Sequence, residues 1–178
     1  MTLITVPAEN EIIITTRKGR RIPCDAPRLP PTSRELERLR RDADDCERSV
    51  QFPNQLFRRR ELTEDYNCHG MTFLNRRAWF DDFSDSDMLQ LILSDDGYAE
   101  INIADALPGD IVVYKASGNI VHTGIVVYCA DTAGLVPCPW VISKWGTGCE
   151  YLHRYNNVPR DYIRDENPIF MREGVNGI

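Results

Sequence analysis

Residues 111–129 read IVVYKASGNIVHTGIVVYC, two β-branched runs on either side of the turn ASGN at 116–119. That composition predicts an antiparallel hairpin, with strands over 111–115 and 120–129. LPGD at 107–110 introduces it, and the loop TAGLVPCP at 132–139 leads to a third apolar run, WVISKW at 140–145. Three strands joined by turns build a sheet, and the elements before them must cover it.

Those elements have helical texture. Thr32 or Ser33 caps a helix running to about Ser49, whose narrow stripe of Leu36, Leu39, Ala43, Cys46 and Val50 suits a helix laid on the surface. A second helix is expected from Cys68 to about Phe80, with a broader face of Met71, Phe73, Leu74, Ala78 and Trp79. A third covers 85–94 and ends before DDGY. Ahead of all three, EIIITT at 11–16 and RKGRRI predict a hairpin turning at Gly19, followed by the proline-rich connector PCDAPRLPP at 23–31. The turn-rich tail adds a last short strand. Helices followed by a run of antiparallel strands mean an α+β protein, helices packed on an antiparallel sheet.

The 178 residues fit one domain over 1–178, with 42% hydrophobic and 27% charged residues, as in ordinary globular chains. A net charge of −6 argues against nucleic acid as a partner. Basic runs such as RRR at 58–60 read as solvated faces among neighbouring acidic clusters. No apolar run is long enough to span a membrane. The first residues lack a secretory-signal pattern, so a cytoplasmic protein is expected, a leaderless export route being compatible with the same sequence. The six cysteines contain no CxxC pair and read as a reduced set.

One of those cysteines stands apart. Residues 65–73 read DYNCHGMTF, which puts Cys68 at the start of a helix. There the unsatisfied backbone amides and the positive end of the dipole favour a thiolate, the reactive form. A thiolate nucleophile needs a proton carrier, and the chain has three histidines: His69, His122 and His153. His69, adjacent on a helix, points about 100° away from Cys68. His122 sits in the second strand of the hairpin, beside Gly124, where the missing side chain lets another element approach. Ser143 on the following strand is the polar residue best placed to orient an imidazole, with Lys144 a poor orienter beside it. Taken singly, Cys68 reads as a core cysteine and His122 as a structural histidine. A metal site built from Cys68, His69, His122 and His153 lacks any recognised ligand spacing.

NCHGMTF, LPGDIVVY and HTGIVV together resemble the NlpC/P60 branch of the papain-like cysteine hydrolases, over roughly residues 62–150. The resemblance leaves residues 1–60 as an unexplained extension. It implies a papain-like fold with Cys68 as nucleophile, His122 as base, and Ser143 or His153 as the third member. Asn67, His69, Tyr66 and Trp145 would line the substrate pocket, and no metal or organic cofactor is required. The implied substrate is a peptide or protein amide, cell-wall peptide being the family's commonest, cleaved through a thioester. The same pair serves a deamidase or an effector toxin of bacterial type. A non-catalytic papain-like binding scaffold is the reading from a different class.

Overall fold

The computed structural model describes residues 11–27, 30–80, 86–130, 138–146, 148–163 and 166–174. The protein is α+β. Strands β1 (Glu11–Thr15) and β2 (Arg21–Asp25) form a separate hairpin. Helix α1 covers Ser33–Ser49, strand β3 Phe57–Arg60, helix α2 Cys68–Phe73 and helix α3 Ser86–Asp95. Strands β4 (Tyr98–Ile101), β5 (Ile111–Ala116), β6 (Asn119–Ala130), β7 (Cys138–Lys144), β8 (Glu150–Arg154) and β9 (Ile169–Glu173) follow. Among the described residues, seven strands form one antiparallel sheet in the order β3-β8-β7-β6-β5-β9-β4.

Several elements follow local chemistry. Thr32 and Glu35 form a capping box at the start of α1, and only Leu39 and Ala43 of the helix are buried, so a single stripe touches the domain. The β5–β6 turn uses Ser117 and Gly118 with φ of 51° and 80°, the twist a two-residue hairpin turn requires. The expected strands at 111–115, 120–129 and 140–145 are present with ends shifted by one to two residues.

Others depart from the reading above. The helix expected from Cys68 to Phe80 stops at Phe73, because Asn75 and Arg76 take φ of 50° and 65° and turn the chain back on itself. Trp79 then bridges Asp25 in β2, and a Cβ on Gly70 would lie 2.0 Å from the Ala78 carbonyl oxygen, so only glycine fits there. RRR at 58–60 lies in β3, an edge strand among the described residues, and β4 and β8 were not foreseen. The acidic residues 81–85 and the loop at 131–137 lie outside the described residues.

Two cores flank the sheet. One holds Ile111 and Val113 of β5 with Leu74, Ala78, Phe80, α3 residues Leu89, Ile92 and Leu93, and β2 residues Ile22 and Cys24. We refer to this as the front. The other holds Val112, Tyr114, Val126, Val141, Val158 and Phe170 behind the sheet. Trp145, Cys149, Tyr151 and Val50 extend the back core, and Tyr151 hydrogen-bonds Glu47 of α1 at 2.7 Å. The β1–β2 hairpin is tied to α3 through Asp95, which accepts from Thr16 and Arg20, each at 2.9 Å.

Candidate active site on the front of the sheet

Asn67 caps α2, its side-chain oxygen accepting from the Gly70 amide at 2.9 Å and the Phe80 amide at 3.3 Å. Its amide nitrogen donates to the Phe80 carbonyl oxygen. A carboxylate could not make that last bond, which accounts for asparagine here. Cys68 therefore begins α2, as expected, with the residue 5% exposed.

Helix α2 lies on the front. Thr123 of β6 holds it: Thr123 Oγ1 is 3.0 Å from His69 Nδ1 and 3.1 Å from Thr72 Oγ1, while Thr72 donates to the Cys68 carbonyl at 3.0 Å. Burial pushes the His69 pKa down to about 4, so its ring is neutral.

His122 is the main correction. It pairs with Tyr114, a back-core residue, whereas the next residue, Thr123, pairs with Val113 of the front core. The imidazole is fully buried behind the sheet, stacked on Tyr162 at 4.2 Å between ring centres and 3° between planes. Neither ring nitrogen has a hydrogen-bond partner among the described residues. Burial, then the neighbouring His69 and His153, hold its pKa well below the usual value. The expected Cys68–His122 pair is thus divided by the sheet. The cause is a β-bulge. Pairing runs Ala116 with Asn119 and Lys115 with Ile120, but Tyr114 pairs with His122, which leaves Val121 as an extra residue. An unbulged hairpin would have set His122 opposite Val113, on the α2 side; one added residue reverses the face.

Ser143 and His153 also lie behind the sheet. His153 Nδ1 is 2.8 Å from the Arg154 carbonyl oxygen, which only accepts, so Nδ1 carries the proton. His153 Nε2 then accepts from Ser143 Oγ at 2.7 Å, and Trp145 Nε1 donates to the same Oγ at 3.0 Å. Burial lowers the His153 pKa to about 4, against a weaker opposing effect of the Arg154 carbonyl. The three groups satisfy one another in the interior. Gly124 likewise clears space for β7, not α2: a Cβ there would lie 2.5 Å from Val141 Cγ1 and 3.1 Å from Ser143 Cβ.

Lys144, set aside as a poor orienter, is the buried group that does share the front with Cys68. Strand alternation sends it to the face opposite Ser143. It is fully buried, donates to the Gly148 carbonyl at 2.5 Å, and lies 5.3 Å from the centre of the Tyr66 ring. Burial lowers its pKa to about 8, opposed by attraction to Cys149, Glu150, Cys68 and Asp65. Its ladder partner Glu150 accepts from Tyr66 Oη at 2.6 Å and from Arg76 at 2.5 and 3.1 Å. Burial alone would raise the Glu150 pKa, but Arg76 and Tyr66 hold it below the usual carboxylate range. Burial and Glu150 push the Tyr66 hydroxyl up to about 12. Period-two counting along WVISKW, with Ser143 and Lys144 on opposite faces, was the available signal for Lys144; nothing local marked Glu150.

The residues expected to touch substrate are all interior: Tyr66, Asn67, His69 and Trp145 are each no more than 3% exposed. None of the six cysteines forms a disulfide. Among the described residues no His, Cys, Asp or Glu group is placed to hold a metal ion, and no helix is long and apolar enough to cross a membrane. Comparison with known proteins gave no match to any family model, curated protein or solved structure.

Proposed function

We propose that the chain is a cysteine hydrolase with a papain-like, NlpC/P60-type fold, which cleaves a peptide or protein amide through a thioester at Cys68. The observation that supports this is Lys144, fully buried on the face of the sheet that α2 covers, with Cys68, after Cys149 and Glu150, among the groups that favour its charged form. Lys144 takes the part first assigned to His122. The thiolate adds to the carbonyl carbon; as the C–N bond breaks, the Lys144 ammonium gives its proton to the departing amine. Water then adds to the thioester and gives a proton to the Lys144 amine, and the C–S bond breaks to restore the thiolate–ammonium pair. Burial, by lowering the Lys144 pKa to about 8, brings its neutral form within reach near neutral pH. Loss of ammonia from a side-chain amide would use the same steps.

A second reading, a binding scaffold without catalysis, is favoured by the enclosure of Cys68 and the position of His122 behind the sheet. Iodoacetamide labelling against pH, read at each cysteine by mass spectrometry, separates the two. The hydrolase reading expects Cys68 to label at lower pH than the other five cysteines, to lose that advantage in Lys144→Met, and to keep it in His122→Phe. Labelling of Cys68 no earlier than its neighbours supports the scaffold. Loss of the advantage in His122→Phe alone overturns the role given to Lys144.

A further inference from the structure

Beyond the site, the front of the sheet carries a half-buried strip flanked by exposed aromatic rings. Lys144, Ile142 and Trp140 alternate onto the front along β7. Register sets Trp140 between Tyr128 of β6 and Arg154 of β8, and Ile142 beside Leu152, whose other neighbour is Phe57 of β3. Phe57 is 50% and Tyr128 57% exposed. The rings of Phe57 and Trp140 lie 5.9 Å apart, tilted by 41°. The Arg154 guanidinium carbon is 5.9 Å from the centre of the Trp140 ring.

Arg154 is the informative member. Among the described residues its buried Nε has no hydrogen-bond partner and no carboxylate pairs with the guanidinium. Stacking on an indole orients an arginine but satisfies none of its five donors. A guanidinium set over an indole with no described carboxylate beside it, bordered by exposed aromatic rings, matches a carboxylate carried next to a bulky apolar group. The match is local: among the described residues Arg154 has no carboxylate partner, although the chain carries a net charge of −6.

We propose that this strip docks an extended acidic peptide, with a Glu or Asp side chain on Arg154 and an aromatic side chain two residues away against Phe57 and Trp140. Docking stands on the strip alone; delivery of the peptide to Cys68 rests on the hydrolase reading. Four residues along β7 separate Trp140 from Lys144, about 13 Å at strand spacing, so the carboxylate sits about four residues from the amide that is cut.

The probe is an octapeptide, blocked at both ends, with one Glu and one Phe two positions apart. Its controls are a Glu→Gln twin and a Gln-containing twin with a free C-terminal carboxylate. Calorimetric titration of the wild type should show the Glu peptide binding about tenfold tighter than the blocked Gln twin, the scale of one charge-assisted fork. That difference should disappear in Arg154→Gln, shrink in Arg154→Lys, and survive Cys68→Ala; Tyr128→Ser should weaken both blocked peptides. Thermal melts establish that each variant is folded. Equal binding of the two blocked peptides, or a Glu preference that survives in folded Arg154→Gln and Arg154→Lys, overturns the proposal. Tighter binding of the free-carboxylate twin than of the Glu peptide overturns the side-chain source. Binding without turnover in the wild type would sink the hydrolase reading and leave the docking strip intact.

Discussion

The two faces of the sheet handle buried polarity in opposite ways. In front, Lys144, Glu150, Arg76 and Tyr66 are charged or bonded to charge, with α2 laid beside them. Behind, His122, His153, Ser143 and Trp145 are neutral, and His122 is left with neither nitrogen bonded among the described residues. Each face contains one of two adjacent residues: Thr123 and Lys144 in front, His122 and Ser143 behind. A pleated strand makes sequence neighbours spatial strangers. The chemistry of a motif on a strand thus depends on the face as much as on the residue.

The comparison can be broken most forcefully with acid. His69 and His153 have folded-state pKa values of about 4 against 6.5 when exposed, and His122 is held well below its usual value. Their neutral forms support folding fully above pH 6.5, where folded and unfolded chains bind the same protons. As pH falls from 6.5 to 4 the unfolded chain takes up protons that the folded chain refuses, and stability drops. At about 1.4 kcal/mol per pH unit the loss is on the order of 3 kcal/mol for each of the two imidazoles. Chemical denaturation at pH 7.5, 6, 5 and 4 measures it. The front carboxylate Glu150, with its lowered pKa, stays charged through most of that range. A stability that is flat above pH 5 would contradict neutral, buried imidazoles.

Next in size is a pair of truncations, one from each face. Glu150→Ala strands Arg76 and Lys144 without their counter-charge and should cost about 3–5 kcal/mol, as breaking a buried ion pair does. Ser143→Ala removes the acceptor of Trp145 Nε1 and the donor to His153 Nε2, and should cost about 1–3 kcal/mol. Urea unfolding ranks the two, and a Ser143→Ala cost equal to that of Glu150→Ala would dissolve the contrast between charged front and neutral back.

The smallest effect is expected at His122. His122→Phe keeps a ring for Tyr162 to stack on and removes two buried nitrogens that bond to nothing described. Its stability should stay within about 1 kcal/mol of the wild type or rise. A loss of 3 kcal/mol or more, by the same urea measurement, would mean that the imidazole satisfies a need that its surroundings do not reveal.

Much of the secondary structure was legible because its causes are local. Thr32 and Glu35 announce α1, Asn67 announces α2, and Ser117-Gly118 announces the β5–β6 turn. The far end of α2 was hidden, since nothing in LNRRAWF forbids a helix; the left-handed turn at Asn75 and Arg76 brings Trp79 to β2. Strand β3, with three arginines, resembles a solvated face because it is one: every residue in it is exposed. The candidate site was half visible. Cys68 at a helix start was read correctly, whereas Lys144 was dismissed and His122 assigned to a face it does not occupy.

By itself, then, the sequence determined the α+β class, the start of the helix bearing Cys68, and the hairpin that carries His122, because caps, turn residues and β-branched runs act over a few residues. Which side chains meet across the sheet was decided only by tertiary structure. A single inserted residue at Val121 reverses the face of His122, and its cause lies in how β5 and β6 pack with both cores at once. Local propensity has no term for that choice.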